Sequence, residues 1–192
     1  MDKVIKLENI NKSFSDFSIN NLDLSINKGY VTGFVGANGS GKSTTIKMIM
    51  NLIKPDSGHM EIFGLDHGDS EKDIKQKIGF VYDDNIYYEG LNLRDLQKII
   101  APAYQNWDKA SFKYYIEKFK LPFNKPIKNF SKGMRMKASL VLALSHNPEL
   151  IIMDEPTAGL DPVFRKDLLE TLQEIMIDEN KTIFFSTHIT SD

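Results

Sequence analysis

Gly36-Ala37-Asn38-Gly39-Ser40-Gly41-Lys42-Ser43-Thr44 fits the pattern G-x-x-x-x-G-K-[ST]. Its flanks constrain the fold further. Tyr30-Val31-Thr32-Gly33-Phe34-Val35 reads as a short buried strand. Ile46, Ile49, Met50 and Ile53 recur at helical spacing until Lys54-Pro55 stops the run. Strand, glycine loop and helix together predict an α/β fold with an anion site at the turn. Glycines let successive backbone N–H groups point inward where a Cβ would obstruct them, and the helix N-terminus adds partial positive charge. Lys42 supplies a full charge for the β- and γ-phosphates of a nucleotide. Ser43 supplies a hydroxyl for Mg²⁺. Gly36, Asn38, Gly39, Ser40, Gly41, Lys42, Ser43 and Thr44 are therefore the candidate nucleotide-binding residues.

Such a loop needs a metal partner and a base. Leu150-Ile151-Ile152-Met153-Asp154-Glu155 offers both: a continuous apolar run, suited to a strand covered on both faces, delivers two carboxylates at its C-terminal end. Ligands sit at that end of open α/β sheets. Asp154 is the candidate Mg²⁺ partner. Glu155, pointing to the other side of the strand tip, is the candidate base for the attacking water.

The remaining chain is read around these two stretches. Val4, Ile5, Leu7 and Ile10 predict an opening strand; Phe17 to Ile26 alternate as a second, with a turn or bulge at Asn20-Asn21. Pro55 to Gly58 turns into Met60-Glu61-Ile62-Phe63. Asp69 to Lys77 reads as a short polar helix, and Ile78 to Tyr82 as a strand. Helices are expected after Asn92, Asp108 and Ser131, and after Asp161-Pro162, with a last strand at Thr182 to Thr187. The expected architecture is a P-loop α/β core over 1–83 and 146–192, carrying an N-terminal antiparallel β subdomain, with an α-helical subdomain inserted over 84–145.

Composition narrows the function classes. A net charge of −2 over 192 residues gives no field for collecting nucleic acid. No cysteine is present, so disulfides and thiolate metal sites are excluded. No apolar run approaches the roughly 20 residues a membrane-spanning helix needs.

The order of these elements resembles the nucleotide-binding subunit of an ATP-binding-cassette (ABC) transporter. Phe130-Ser131-Lys132-Gly133-Met134 resembles that family's signature L-S-G-G-Q, Ala158-Gly159-Leu160-Asp161 its D-loop, and Thr187-His188 its switch histidine. Phe14 matches the aromatic that stacks on adenine. The resemblance implies an ATPase working with ATP and Mg²⁺ in a head-to-tail pair, homodimeric or heterodimeric, with a second ABC ATPase. In such a pair Ser131, Lys132, Gly133 and Met134 face the γ-phosphate of the opposite site, Asp161 of the D-loop is a further nucleotide-binding residue that also caps the next helix, and His188 contacts the γ-phosphate. The sequence departs from the family at Asp83, which stands where a Mg²⁺-contacting glutamine is usual, and a carboxylate there remains a hard oxygen ligand. Lys132 and Met134 also depart from the signature.

Asp83-Asp84, Asn106-Trp107-Asp108 and the signature are similar to those of exporter ATPases paired with separate permeases. These include bacitracin and antimicrobial-peptide exporters and phenol-soluble-modulin exporters. The resemblance implies export of peptides or other amphipathic compounds from the cytoplasmic face of the membrane, with a permease docked on the Asp83–Leu91 loop through Tyr87, Tyr88 and Leu91. It also implies that the C-terminal part of the family domain is missing from this chain. Two other readings stay open: a soluble ABC ATPase outside transport, and a low-turnover nucleotide-binding regulatory module.

Overall fold

The structure, a computed structural model, describes residues 2–82, 89–160 and 162–188. Two sheets organise it. The first is antiparallel, with strand order β2-β1-β4-β5, built from β1 (Lys3–Ser13), β2 (Ser18–Asn27), β4 (Ser57–Ile62) and the short β5 (Leu65–Asp66). The second is parallel, in the order β3-β8-β7-β6, built from β3 (Val31–Val35), β6 (Ile78–Val81), β7 (Leu150–Asp154) and β8 (Thr182–Thr187). In the parallel sheet every strand runs the same way, so the C-terminal ends of β3, β7 and β8 share one edge. The three stretches carrying the expected chemistry end there.

The apolar run of β7 behaves as its composition demands. All five residues are buried, and successive side chains feed opposite faces of the sheet. Leu150 and Ile152 join Phe184 in a core shared with β1, β4, α1 (Lys42–Ile49) and α2 (Glu71–Gln76). Ile151 and Met153 join Ile183 in a second core, formed with α3 (Leu93–Ile100), α4 (Lys109–Lys118), α5 (Lys132–Leu144) and α6 (Pro162–Ile175). Each such fully buried side chain contributes about 1.5–3 kcal/mol relative to exposure.

The helices begin where capping chemistry starts them. Asn92 accepts from Asp95 N–H, Asp108 from Ala110 and Ser111 N–H, and Ser131 from Met134 N–H. The expected irregularity at Asn20-Asn21 is a bulge: Asn21 has φ 48° and the β1–β2 register shifts between Ile10 and Lys12.

Two local expectations differ from the structure. β3 was expected to be buried, yet Val31 and Val35 are more than half exposed. Among the described residues β3 pairs only with β8 and so lies at the sheet edge. The helix after the P-loop ends at Ile49, short of Pro55. Asn51 adopts φ 53°, a left-handed conformation that asparagine tolerates better than most residues, and the chain turns there before proline is reached.

Candidate functional site

The P-loop is tied both to β8 and to itself. Gly36 N–H donates to Thr187 O at the end of β8, and Ser40 N–H donates to Ala37 O. Gly39 and Gly41 take φ 79° and 97°, the left-handed region that a side chain disfavours. Gly41 also has no room for one: a Cβ there would stand 2.8 Å from Phe17 Cζ. That contact places Phe17, and with it Phe14, beside the loop. The two rings stack at 6.4 Å between centroids, Phe14 remains 45% exposed, and Lys12 Nζ lies 5.7 Å over its ring.

α1 begins at Lys42, whose side chain is almost wholly buried. Its ammonium donates to Gly36 O at 2.8 Å and Ala37 O at 3.1 Å, and lies 3.2 Å from Glu155 Oε1. The next residue, Ser43, donates from Oγ to Asp154 Oδ1 at 3.1 Å. The two consecutive carboxylates of the β7 end thus reach the two consecutive residues that open α1. Glu155 takes φ 47°, which carries the chain out of the extended strand. His188 completes the group: its ring Nδ1 donates to Glu155 Oε2 at 2.6 Å, and its backbone N–H approaches the same oxygen at 3.3 Å.

Burial pushes the Glu155 carboxyl up, but the hydrogen bond from His188 and the contacts with Lys42 outweigh it and hold the group below the usual carboxylate range. It is therefore ionised at neutral pH. Ser43 Oγ and Asp154 Oδ1 form the hard-oxygen pair of the site. Two such donors suit Mg²⁺, which keeps several waters and phosphate oxygens among its ligands.

Phe14, the P-loop, Asp154, Glu155 and His188 are thus linked by direct or one-step contacts. Ser131, Lys132, Gly133 and Met134 lie elsewhere, at the N-terminus of α5, where Ser131 and Lys132 are exposed while the C-terminal half of the helix is buried. Lys132 Nζ lies 3.3 Å from where a Gly159 Cβ would stand, so the signature neighbours the segment that follows Glu155. Asp83 and Asp161 lie outside the described residues, as do Tyr87 and Tyr88 of the expected docking loop. No helix among the described residues is long and apolar enough to cross a membrane.

Sequence reasoning missed Ser186. It is fully buried, faces Asp154 in the β7–β8 register, and contacts Asp154 and Glu155. The available signal was a small polar residue at the end of an otherwise apolar strand.

The family model described as ABC transporter matches residues 19–158. The bacitracin transport ATP-binding protein BcrA of Bacillus licheniformis is 36% identical over all of this chain and 64% of its own length. Its namesake in Enterococcus faecalis is 29% identical over 63% of its length. The chain therefore spans just under two thirds of these two relatives. The lantibiotic transport ATP-binding protein SrtF of Streptococcus pyogenes is 32% identical over 98% of this chain and 82% of its own. Among solved structures, an ATP binding subunit of an ABC transporter superposes with a TM-score of 0.86 at 28% identity, covering 98% of this chain and 80% of that one. A dimeric ATP-binding cassette in a post-hydrolysis state, bound to ADP and Pi, superposes at 0.83 and 25% identity over 97% and 89%.

Proposed function

This chain belongs to the ABC transporter family, and from that premise we propose that it is the ATP-binding and ATP-hydrolysing subunit of a transporter that drives a separate membrane permease. The observation that carries the reading is the convergence of Lys42, Ser43, Asp154, Glu155 and His188 at one end of the parallel sheet. The bacitracin and lantibiotic transport relatives support peptides or other amphipathic compounds as cargo, and export is the direction we propose.

The chain's own residues account for binding and for proton handling. The P-loop N–H groups and Lys42 hold the phosphates, and Phe14 offers its exposed ring to the base. Ser43 and Asp154 would hold Mg²⁺, which when bound neutralises charge on the phosphate oxygens. Phosphate oxygens and Glu155 compete for the same Lys42 ammonium. A γ-phosphate that takes Lys42 relieves Glu155 of one of the two contacts that depress its pKa. The carboxylate becomes a better base for water while His188 still orients it.

The exposed N-terminus of α5 is the surface that a second ABC ATPase would meet with its bound nucleotide, through Ser131 to Met134, and Asp161 would be a further nucleotide-binding residue. The permease would dock at the Asp83–Leu91 loop, at the cytoplasmic face of the membrane. Asp83 would act as a further oxygen ligand for Mg²⁺, and Asp83→Gln is expected to alter turnover and its Mg²⁺ dependence.

Two measurements test the proposal. Phosphate release by the purified chain should depend on Mg²⁺ and vanish in Lys42→Ala. Light scattering of Glu155→Gln should show an ATP–Mg²⁺-dependent doubling of mass. A chain that binds no ATP ends the proposal. A chain that binds ATP but stays monomeric moves the pairing to a different ATPase or to the permease-bound complex.

A further inference from the structure

Ser186 belongs to none of the motifs that mark the site. It is fully buried at the end of β8, opposite Asp154 in the parallel register. Its hydroxyl makes two contacts. Glu155 N–H donates to Oγ at 3.0 Å, and the hydroxyl donates to Asp154 Oδ1 at 2.5 Å. A serine hydroxyl has one proton and two lone pairs, so both bonds form at once and their directions are fixed: it accepts from the backbone and donates to the carboxylate.

Each bond has a separate consequence. Asp154 Oδ1 already accepts from Ser43 Oγ on α1. The second donor, from the adjacent strand, removes the carboxylate's remaining freedom to rotate. The backbone bond acts on Glu155, which at φ 47° occupies a region costly for a residue with a Cβ. Where the chain leaves the strand, Ser186 gives the Glu155 N–H its partner. That anchors the turn from which Glu155 reaches Lys42 and His188.

We infer that Ser186 is a positioning residue for both carboxylates, setting the orientation of Asp154 for the metal side and the backbone of Glu155 for the water side. The inference rests on the nucleotide-hydrolysing reading above. A buried serine with a purely structural role would lower thermal stability when replaced but would leave the Mg²⁺ response of the bound nucleotide alone.

The test uses the purified chain and three variants, Ser186→Ala, Ser186→Cys and Ser186→Thr. Binding of trinitrophenyl-ATP is titrated in EDTA and against Mg²⁺, and kcat and KM are measured by phosphate release. In Ser186→Ala, affinity in EDTA should not fall by more than about twofold, because the P-loop is untouched and any loosening of Glu155 only frees Lys42 for phosphate. The Mg²⁺ midpoint should rise about 10-fold and kcat fall about 10- to 100-fold at nearly constant KM. Ser186→Thr, which keeps a hydroxyl, should recover most of both, and Ser186→Cys, a weak donor, should not. An alanine variant with the wild-type Mg²⁺ midpoint and kcat overturns the inference, as does equal loss of affinity with and without Mg²⁺. If the alanine variant does not fold, the threonine–cysteine comparison decides, and equal behaviour of the two overturns it. A wild-type chain that binds no trinitrophenyl-ATP defeats the hydrolysing reading and this inference together. Failure confined to the variants defeats the inference alone.

Discussion

Lys42 Nζ lies 3.2 Å from Glu155 Oε1, so the cation expected to hold phosphate and the carboxylate expected to activate water are partners in one ion pair. The two expected functions would thereby be coupled. Neutralising the carboxylate in Glu155→Gln should free Lys42 for phosphate, raising nucleotide affinity while turnover falls about 100-fold or more. Lys42→Ala should instead weaken nucleotide binding about 10- to 100-fold. Isothermal titration with ATP, paired with phosphate-release rates, distinguishes the two. Equal or lower affinity in Glu155→Gln would show that the ion pair does not compete with the ligand.

His146 gives the fold a distinct acid sensitivity. The ring is buried, stacks on Tyr104 at 3.8 Å between centroids, and donates from Nε2 to Ile78 O. Burial pushes its pKa down from 6.5 to about 4. The unfolded chain therefore takes up this proton first as pH falls. The stability tied to the neutral ring is intact above pH 6.5 and is lost as pH falls towards 4, amounting to roughly 3 kcal/mol. Melting temperatures between pH 7 and 4 should fall more steeply for wild type than for His146→Gln, which keeps a donor but cannot titrate in this range. Parallel curves would assign the acid loss to other groups.

Phe14 is nearly half exposed, with its ring backed by Phe17. If the ring stacks on adenine, Phe14→Ala should weaken ATP binding about 3- to 10-fold without moving the melting temperature much, and Phe14→Tyr should bind like wild type. Fluorescence titration with a labelled nucleotide reads this directly. An unchanged affinity in the alanine variant would return Phe14 to ordinary packing.

Gly41 is constrained twice, by φ 97° and by Phe17 at 2.8 Å from a would-be Cβ. Gly41→Ala should destabilise the chain by about 1–3 kcal/mol and abolish nucleotide binding. Adding Phe17→Ala removes one obstacle but not the backbone strain, so the double variant should recover only part of the stability. Full recovery in denaturant melts would mean that the contact, rather than the conformation, demands glycine.

The candidate site was legible in the sequence where its residues are local. The glycine spacing, Lys42, Ser43 and the carboxylates after an apolar strand all lie within two short stretches. The structure's contribution lies between stretches. The Lys42–Glu155 pair and the Ser186 bridge join residues separated by 113 and about 30 positions, and no local pattern encodes which strands become neighbours. The exposure of β3 was illegible for the same reason, because a run of five residues does not state whether its strand is central or at an edge. The left-handed Glu155 carries no marker either, since glutamate is not a residue type that announces positive φ.

The pairing of β3 with β8 also sets a timetable. Gly29 N–H meets Thr182 Oγ1 across 153 positions, and the β3–β8 ladder spans a similar interval. On a ribosome adding about 5–20 residues per second, β3 emerges about 8–30 seconds before its partner exists. Until β8 is made, the glycine loop hangs from a strand without the ladder partner it has among the described residues, an open edge that invites pairing with the wrong chain. The antiparallel β1–β2 hairpin can close almost at once, so the nascent protein has a sheet long before its glycine loop is held in place. Vectorial synthesis thus leaves the most chemically demanding turn waiting for a strand made far later in the chain.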